Sequence, residues 1–348
     1  MSDYNANGYQ FFSLTDANTK EWNAFVLSSQ LGSIHQISDW KNFQEQIPGR
    51  GPVLGFGVKE KGEIKATIFC VRMGTGFLGK YWWYSARGPV FDPKEKAVGI
   101  FLIEKVTAEL KRKGGMFWRF DPYFPQAFEL PGVQTRNATQ NYQPTDTLEI
   151  DLTQTNDEIL SYMKRKGRYN INLAQKKGVR VTFILGNDIT KKDIDDFWRL
   201  NTETTRRDSF SGHEKSYYEK FLKHLKKYAV LFFAEFEGKR IASAISTFCG
   251  SKAIYYFGAS SSDAQTRPLM APYLLQWEMM QYAKKKGCLT YDFLGIAPED
   301  ETNHPYAGIS EFKWKFGGER KTYASGQEIV FQSVWYTLYR LAKKLKRV

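Results

Sequence analysis

The 348-residue sequence is poor in metal and redox ligands, with three cysteines and four histidines. Cys70, Cys249 and Cys288 are odd in number, scattered, and set in strand-like or apolar contexts. They are expected to be buried thiols of a reducing compartment, which excludes a disulfide framework. No CxxC occurs, and His35, His213, His224 and His304 are widely spaced, so no metal-ligand pattern exists and no cofactor is expected. Long apolar runs are missing too: Ile100–Ile103 and Val230–Ala234 fall far short of the roughly 18 residues of a membrane span. The start, Met1-Ser-Asp-Tyr-Asn, lacks a basic region followed by an apolar one, so no signal peptide is expected. Negative charge is scarce, with 37 Asp+Glu against 50 Lys+Arg and a net charge of +13. Residues 163–178 carry six basic and no acidic residues, and residues 339–348 carry five and none. Such patches suit an anionic partner: nucleic acid, a phosphorylated small molecule or an anionic membrane face.

What the sequence does have is apolar mass and an internal repeat. Hydrophobic residues make up 42% and aromatics 16%, enough for packed cores and against a disordered chain. The length suggests two domains. Residues 53–91 and 230–261 each read as a strand, a charged turn at Gly62 or Gly238, a second strand through a cysteine, and an aromatic strand. A helix follows each, over 97–113 and 271–286, with Lys/Arg in the last turn and a Gly stop. A strand then ends in Asp121 or Asp292. Meander, helix and strand, repeated, predict a duplicated α/β unit. Between the copies the spacing predicts a strand over 147–152, a helix over 156–177, a strand over 179–185 and helices over 190–206 and 214–227. A strand near 321–331 and a basic helix near 332–347 are expected to end the chain.

The meander–helix–strand unit resembles the GNAT-type N-acyltransferase fold. Local motifs narrow this: Thr147–Leu152, Met163–Val179, Gln36-Ile-Ser-Asp-Trp40, Arg119-Phe-Asp-Pro122, Thr205–Phe210 with Tyr217-Tyr218, Ala271-Pro-Tyr273, Tyr291–Gly295 and Gly308–Gly317. Together, and in this order, they resemble the FemABX family, the aminoacyl-tRNA-dependent peptidyltransferases that build the interpeptide bridge of peptidoglycan. The resemblance implies two tandem GNAT-like domains, the first comprising residues 1–145 with 317–348 and the second residues 146–316. Some members carry a long helical arm in the second domain. Here about seven residues separate the helices at 190–206 and 214–227, so the chain resembles the compact, armless members.

That resemblance implies attack of a stem-peptide amine on an aminoacyl ester of tRNA, with glycine, alanine or serine as the donor. The acceptor would be a lipid- or UDP-linked muropeptide, and the enzyme a monomer in the cytoplasm or at the inner face of the membrane. The ester is already activated, so the chemistry calls for a donor to the tetrahedral oxyanion. Lys313 is the candidate, matching with Phe312 the family's Phe-Lys pair. Phe312, Trp314 and Phe316 alternate with Lys313 and Lys315, a pattern that predicts a strand with both lysines on one face. Asp121 is the candidate to orient the acceptor amine or take its proton. Trp40 and Lys41 match the acceptor-gripping Trp and Lys, and Tyr217 an acceptor-contacting Tyr. His213 stands where the compact type has Arg, with Arg206 or Arg207 as substitutes, and Tyr255 and Tyr256 are expected to line the same cleft.

The basic segment has a helical period and would suit an RNA backbone through Lys164, Arg165, Lys166, Arg168, Lys176 and Lys177, with Asn170 and Asn172 adding polar contacts. The C-terminal helix carries Val334, Trp335, Leu338, Leu341 and Leu345 on one side, expected to pack on the first domain and turn its charge toward tRNA or anionic lipid. Two other functions compete. An acyl-CoA N-acyltransferase needs a Gly-rich pyrophosphate loop before the helix, and Gln265–Tyr273 and Phe91–Gly99 lack that pattern. A non-catalytic RNA-binding protein is allowed by the basic patches, but no RRM, KH or OB signature is present.

Overall fold

The structure, a computed structural model, describes residues 8–76, 78–125, 132–299, 301 and 304–345. The reading of Met1–Asn5, and the basic residues Lys346 and Arg347, lie outside these. The chain divides into two compact units, residues 1–145 with 322–348, and residues 146–321. Each is described by itself.

The first unit opens with β1 (Tyr9–Ser13), α1 (Thr19–Ser28) and α2 (Ser38–Glu45). The meander follows as β2 (Arg50–Glu60), β3 (Glu63–Gly74) and β4 (Tyr81–Ala86), then β5 (Val90–Phe91), α3 (Lys96–Arg112), β6 (Phe117–Asp121) and β7 (Arg136–Asn137). The charged turn closes in two residues, Lys61 and Gly62, both with positive φ, which is the geometry that matches the twist of a hairpin. In α3 the side chains of Val98, Leu102, Val106 and Leu110 recur every fourth position and are buried on the sheet. The helix stops before Gly114 at φ +91°, the left-handed conformation that ends helices.

The second unit repeats this plan behind an added helical layer. It runs β8 (Asp146–Asp151), α4 (Asn156–Tyr162), α5 (Arg165–Lys176), β9 (Arg180–Leu185), α6 (Lys191–Arg207), α7 (Lys215–His224), β10 (Ala229–Phe236), β11 (Lys239–Cys249), β12 (Lys252–Ser260), α8 (Ala271–Lys285), β13 (Thr290–Gly295), α9 (Ala307–Lys313) and β14 (Glu319–Thr322). Its hairpin also turns on two positive-φ residues, Glu237 and Gly238. The chain then returns to the first unit with β15 (Gln327–Val330) and α10 (Ser333–Leu345).

Among the described residues the first sheet has the order β1-β2-β3-β4-β6-β15-β7, with β5 beside β3, and the second the order β14-β8-β13-β12-β11-β10-β9. In both, the third meander strand runs parallel to the strand after the helix, β4 with β6 and β12 with β13. The three cysteines are buried free thiols. Burial pushes Cys70 and Cys249 up to about 12 and Cys288 up to about 11.

Four expectations change. The helix predicted over 156–177 is two helices, because Met163 and Lys164 take extended backbone. The backbone N–H of Lys164 donates to the Lys315 carbonyl at 3.1 Å, and the Arg168 guanidinium donates to the carbonyls of Leu160, Ser161 and Met163. The strand predicted around Lys313 is instead α9 followed by a 3-10 turn, Trp314–Phe316. The strand predicted near 321–331 is two strands in two different sheets, and residues 317–321, expected in the first domain, stay with the second unit, where β14 pairs with β8. In α10 it is Tyr336, with Trp335 and Tyr339, that packs against Trp82, Tyr84 and Phe117. Val334, Leu338, Leu341 and Leu345, expected to pack inward, are exposed.

Candidate functional site

The second unit contains an opening in its sheet. Strand β12 pairs with β13 only over Lys252–Ile254 and Thr290–Asp292, then runs on to Ser260 without it. A bulge causes the divergence on one side: Ile245 faces Phe257 but Ser246 faces Tyr255, leaving Tyr256 as the extra residue. On the other side the β13 register slips between Asp292 and Gly295, and Leu294 sits at φ +57°. The Asp292 carboxylate accepts the Leu294 N–H at 2.7 Å and fixes this kink.

Lys313 closes the end of β13. It is only 5% exposed, and its Nζ donates to the Gly295 carbonyl at 2.6 Å. Helix α9 is held there by Ser310, whose Oγ accepts the Ala297 N–H at 2.7 Å and donates to the Tyr306 carbonyl at 2.6 Å. Burial pulls the Lys313 ammonium down to about 8, with the Asp292 charge pushing it partly back. Such a burden costs roughly 3 kcal/mol at neutral pH. A perturbed cation at the edge of a sheet opening makes Lys313 the candidate functional group of this unit.

The surroundings of Lys313 are aromatic. Phe312 and Phe316, four residues apart on one helical side, pack on Tyr273 of α8 at ring separations of 5.1 and 5.7 Å. Phe312 is thus a core contact. Tyr255 packs on Phe293 at 6.1 Å, and burial pushes its hydroxyl up to about 12. That hydroxyl sits under Gly258, where a Cβ would come within 1.6 Å of it. Gln276 accepts a hydrogen bond from Tyr291 at 2.7 Å. Tyr256 turns the other way, onto Phe221 of α7 at 5.1 Å, so the two tyrosines expected to share a cleft lie on opposite faces of the sheet.

On the α6–α7 side, His213 and Tyr217 do come together, with rings stacked at 3.8 Å and 14°. Arg206 is exposed, whereas Arg207 is held by Asp208 in two bonds of 2.9 Å and by the Ser260 carbonyl at 3.2 Å. Arg206 is the substitute still open to an anion.

The basic segment forms the two ends of α5, about 18 Å apart for twelve helical residues. Lys164, Arg165 and Lys166 are exposed at its start, and Lys176 and Lys177 at its end, where Lys177 reaches the Pro268 carbonyl at 3.3 Å. Arg168, expected at an RNA backbone, is spent on the carbonyls of α4 and its end. Asn170, expected to add a polar contact, is buried. Two residues that sequence reasoning missed, Tyr162 and Tyr169, are 66 and 62% exposed beside the leading cations. Their signal was an aromatic residue at the edge of the basic run and another inside it. This end of α5 lies against the turn after Lys313: a Cβ on Gly167 would meet the Lys315 carbonyl at 2.2 Å. Glu311, ion-paired to Lys315 at 2.9 Å, also feels the charges of Lys164 and Lys166.

The first unit places its expected residues differently. Trp40 is buried between His35 and Phe43, with ring separations of 4.5 and 5.3 Å. Burial and the Arg87 charge pull His35 down to about 3. Lys41 is half-buried and ion-paired with Glu45 at 3.0 Å. Nearby Gln36 is a structural knot, donating to the Ala86 carbonyl at 2.6 Å and accepting the Phe69 N–H at 2.8 Å. Asp121, expected to handle the acceptor's proton, is buried, and its Oδ2 accepts from the Tyr84 hydroxyl at 2.7 Å and from the N–H groups of Tyr142 and Gln143 at 2.9 and 2.8 Å. It anchors a loop. Burial raises it above the usual carboxylate range, against those three hydrogen bonds.

A phosphate cradle at the start of α8 is not formed. Pro268 and Pro272 have no N–H, and the N–H groups of Met270 and Tyr273 donate to the carbonyls of Arg267 and Met270.

The chain matches a family model described as the FemAB family over residues 125–240 and 235–344. It is similar to the lipid II:glycine glycyltransferase of Staphylococcus epidermidis, 23% identical with 94% of each chain covered. That alignment runs over 404 positions, so the relative has insertions that this 348-residue chain lacks. It is also similar to the UDP-N-acetylmuramoylpentapeptide-lysine N(6)-alanyltransferase of Weissella viridescens, 26% identical over 82% of this chain and 87% of that one. Among solved structures, the crystal structure of FemX superposes with a TM-score of 0.84 at 19% identity, covering 94% of this chain and 99% of that one. A tandem GNAT protein from the clavulanic acid biosynthesis pathway superposes with a TM-score of 0.53 at 10% identity, covering 93 and 98%. The two meanders are therefore the halves of a tandem GNAT-like fold.

Proposed function

The chain belongs to the FemAB family, and on that premise we propose that it is an aminoacyltransferase of peptidoglycan bridge synthesis, moving glycine, alanine or serine from aminoacyl-tRNA to the side-chain amine of a precursor stem peptide. The observation that carries this reading is Lys313. It is a buried ammonium at the mouth of a splayed strand pair, and it donates to a main-chain carbonyl that a reacting acyl oxygen can replace. The names of the two relatives, a glycyl- and an alanyltransferase, support the class of donor and of acceptor.

In the reaction the acceptor amine attacks the ester carbonyl carbon, a C–N bond forms, and the carbonyl oxygen takes the negative charge. Lys313 donates a hydrogen bond to that oxyanion, an interaction stronger in the transition state than in the ground state. Collapse breaks the C–O bond to the tRNA ribose, whose hydroxyl takes the proton that the amine loses. Neither ATP nor an enzyme nucleophile is required. Lys164, Arg165 and Lys166 supply sequence-independent attraction to the RNA backbone. Tyr162 and Tyr169 offer ring faces to the unpaired bases of its 3′ end. Arg206 and the His213–Tyr217 stack are assigned to the acceptor, whose head-group is a lipid or UDP diphosphate.

The test is transfer from glycyl-, alanyl- and seryl-tRNA to lipid-linked and UDP-linked muropeptide without ATP, read by mass spectrometry of the acceptor. One added residue on the stem-peptide amine is expected. No product with any donor on either acceptor would overturn the reading.

A further inference from the structure

Helix α10 has two apolar faces, and the first unit covers one. Tyr336 packs on Phe117 at a ring separation of 5.1 Å, and Tyr339 on Phe117 and Trp82 at 5.4 and 6.4 Å. On the opposite side Val334, Leu338, Leu341 and Leu345 are 73, 49, 55 and 78% exposed. Their spacing of four, three and four residues aligns them in one stripe along the helix. Isolated exposed leucines are ordinary, but a contiguous stripe marks a surface that meets something apolar.

Charge identifies what that is. No acidic residue occurs after Glu328. Arg340 and Lys344 run along one flank of the stripe, Lys343 lies over the Tyr339 ring at 5.9 Å on the other side of the helix, and all three are exposed. They also rim a cavity of about 540 Å³, to which Arg119, Arg136 and Tyr142 contribute and whose lining includes no carboxylate among the described residues. The Arg136 and Arg340 guanidinium groups lie over the Tyr336 ring at 5.4 and 5.7 Å, which holds them at the cavity. Glu328 is buried in its pair with Arg119 and accepts the Tyr336 hydroxyl. The cavity is thus a cationic recess beside a leucine stripe.

We propose that α10 is an interfacial anchor for an anionic phospholipid bilayer. The stripe enters the boundary between headgroups and acyl chains, while Arg340, Lys343, Lys344 and Arg136 hold lipid phosphates. An RNA backbone would use the cations but gives the leucines no role. The inference stands apart from the transfer reaction, because binding is measured without tRNA or muropeptide, and transfer to a soluble UDP-linked acceptor is read separately.

The test is sedimentation of the full chain with vesicles of phosphatidylcholine alone or with one third phosphatidylglycerol. The expected result is binding at least about tenfold tighter to the anionic vesicles, weakened by salt. Leu338→Asp with Leu341→Asp is expected to reduce it roughly tenfold or more, and Lys343→Ala with Lys344→Ala by a similar factor. Circular-dichroism melting confirms that each variant folds, and Leu338→Ser with Leu341→Ser replaces the Asp pair if that pair does not. Equal or absent binding to the two vesicles would overturn the proposal. So would leucine variants that bind like the parent chain, full displacement by millimolar pyrophosphate, which would make the recess a soluble-phosphate site, or full displacement by tRNA, which would make it an RNA surface.

Discussion

The two copies of the meander–helix–strand plan end their parallel strand pairs in opposite ways. In the first, β4 and β6 stay paired from Trp83 and Trp118 to Ala86 and Asp121. The space between is filled: the Trp118 indole donates to Ser85 at 2.9 Å. Two arginines are buried in this copy: Arg119 is paired with buried Glu328, its Nε donating at 2.7 Å, and Arg87 donates to the Pro144 carbonyl at 2.8 Å. In the second copy the pairing stops at Ile254 and Asp292, and the buried cation is Lys313, bonded to a backbone carbonyl. The Arg119 charge is met by a carboxylate, whereas the Lys313 charge is met by a neutral carbonyl, whose place a reacting oxygen takes in the proposed reaction. On the proposed function, the second copy carries the chemistry and the first serves as framework.

Breaking the framework pair should have the largest effect on stability. Glu328→Ala leaves Arg119 buried and uncompensated, and a loss of about 3–5 kcal/mol is expected in denaturant unfolding. A loss under about 1 kcal/mol would remove the contrast between the two cations. On the other side, Lys313→Ala should lower kcat by about 10²–10³ in the transfer assay, with tRNA binding unchanged, as for loss of one oxyanion donor. Wild-type turnover in this variant would remove Lys313 from the chemistry.

Lys313→Met should shift stability the opposite way to the Glu328 change. The Lys313 ammonium titrates at about 8 in the folded chain, below its ordinary value of 10.5. Below pH 8 both folded and unfolded chains carry the charge and only the folded one bears the burial cost. Between about 8 and 10.5 the unfolded chain binds more protons, so parent stability rises with pH. The Met variant should therefore be more stable by roughly 1–3 kcal/mol at pH 7, and this advantage should fade toward pH 10.5. The same titration gives transfer a declining limb near pH 8, as the hydrogen-bond donor loses its charge. The smallest effect is expected at Asp121. Asp121→Asn keeps an acceptor for the Tyr142 and Gln143 N–H groups, so about 1 kcal/mol of stability is lost and transfer continues. A hundredfold fall in kcat would restore a catalytic role for the first copy.

Much of the fold was legible because its signals are local. The two Gly hairpins and the Gly-terminated helices α3 and α8 each follow from a few neighbouring residues with one workable backbone conformation. The segment around Lys313 was misread for a physical reason. Phe312, Trp314 and Phe316 alternate as in a strand, yet Phe312 and Phe316 are also one helical turn apart. Their joint contact with Tyr273 decided for helix. The break after α4 carries no Gly or Pro, and it depends on the Lys315 carbonyl far along the chain.

Lys313 could be singled out as a candidate from the sequence, but its burial and bonding could not. By itself the sequence determined the duplicated plan, the basic runs and the order of motifs, because period, turn chemistry and charge reside in neighbouring residues. Only the tertiary structure decided that β12 and β13 part, that Arg119 meets Glu328 across 209 positions, and that Lys313 is buried against Gly295. Burial and pairing depend on groups brought together from distant positions, and these set whether a cation supports the fold or serves a reaction.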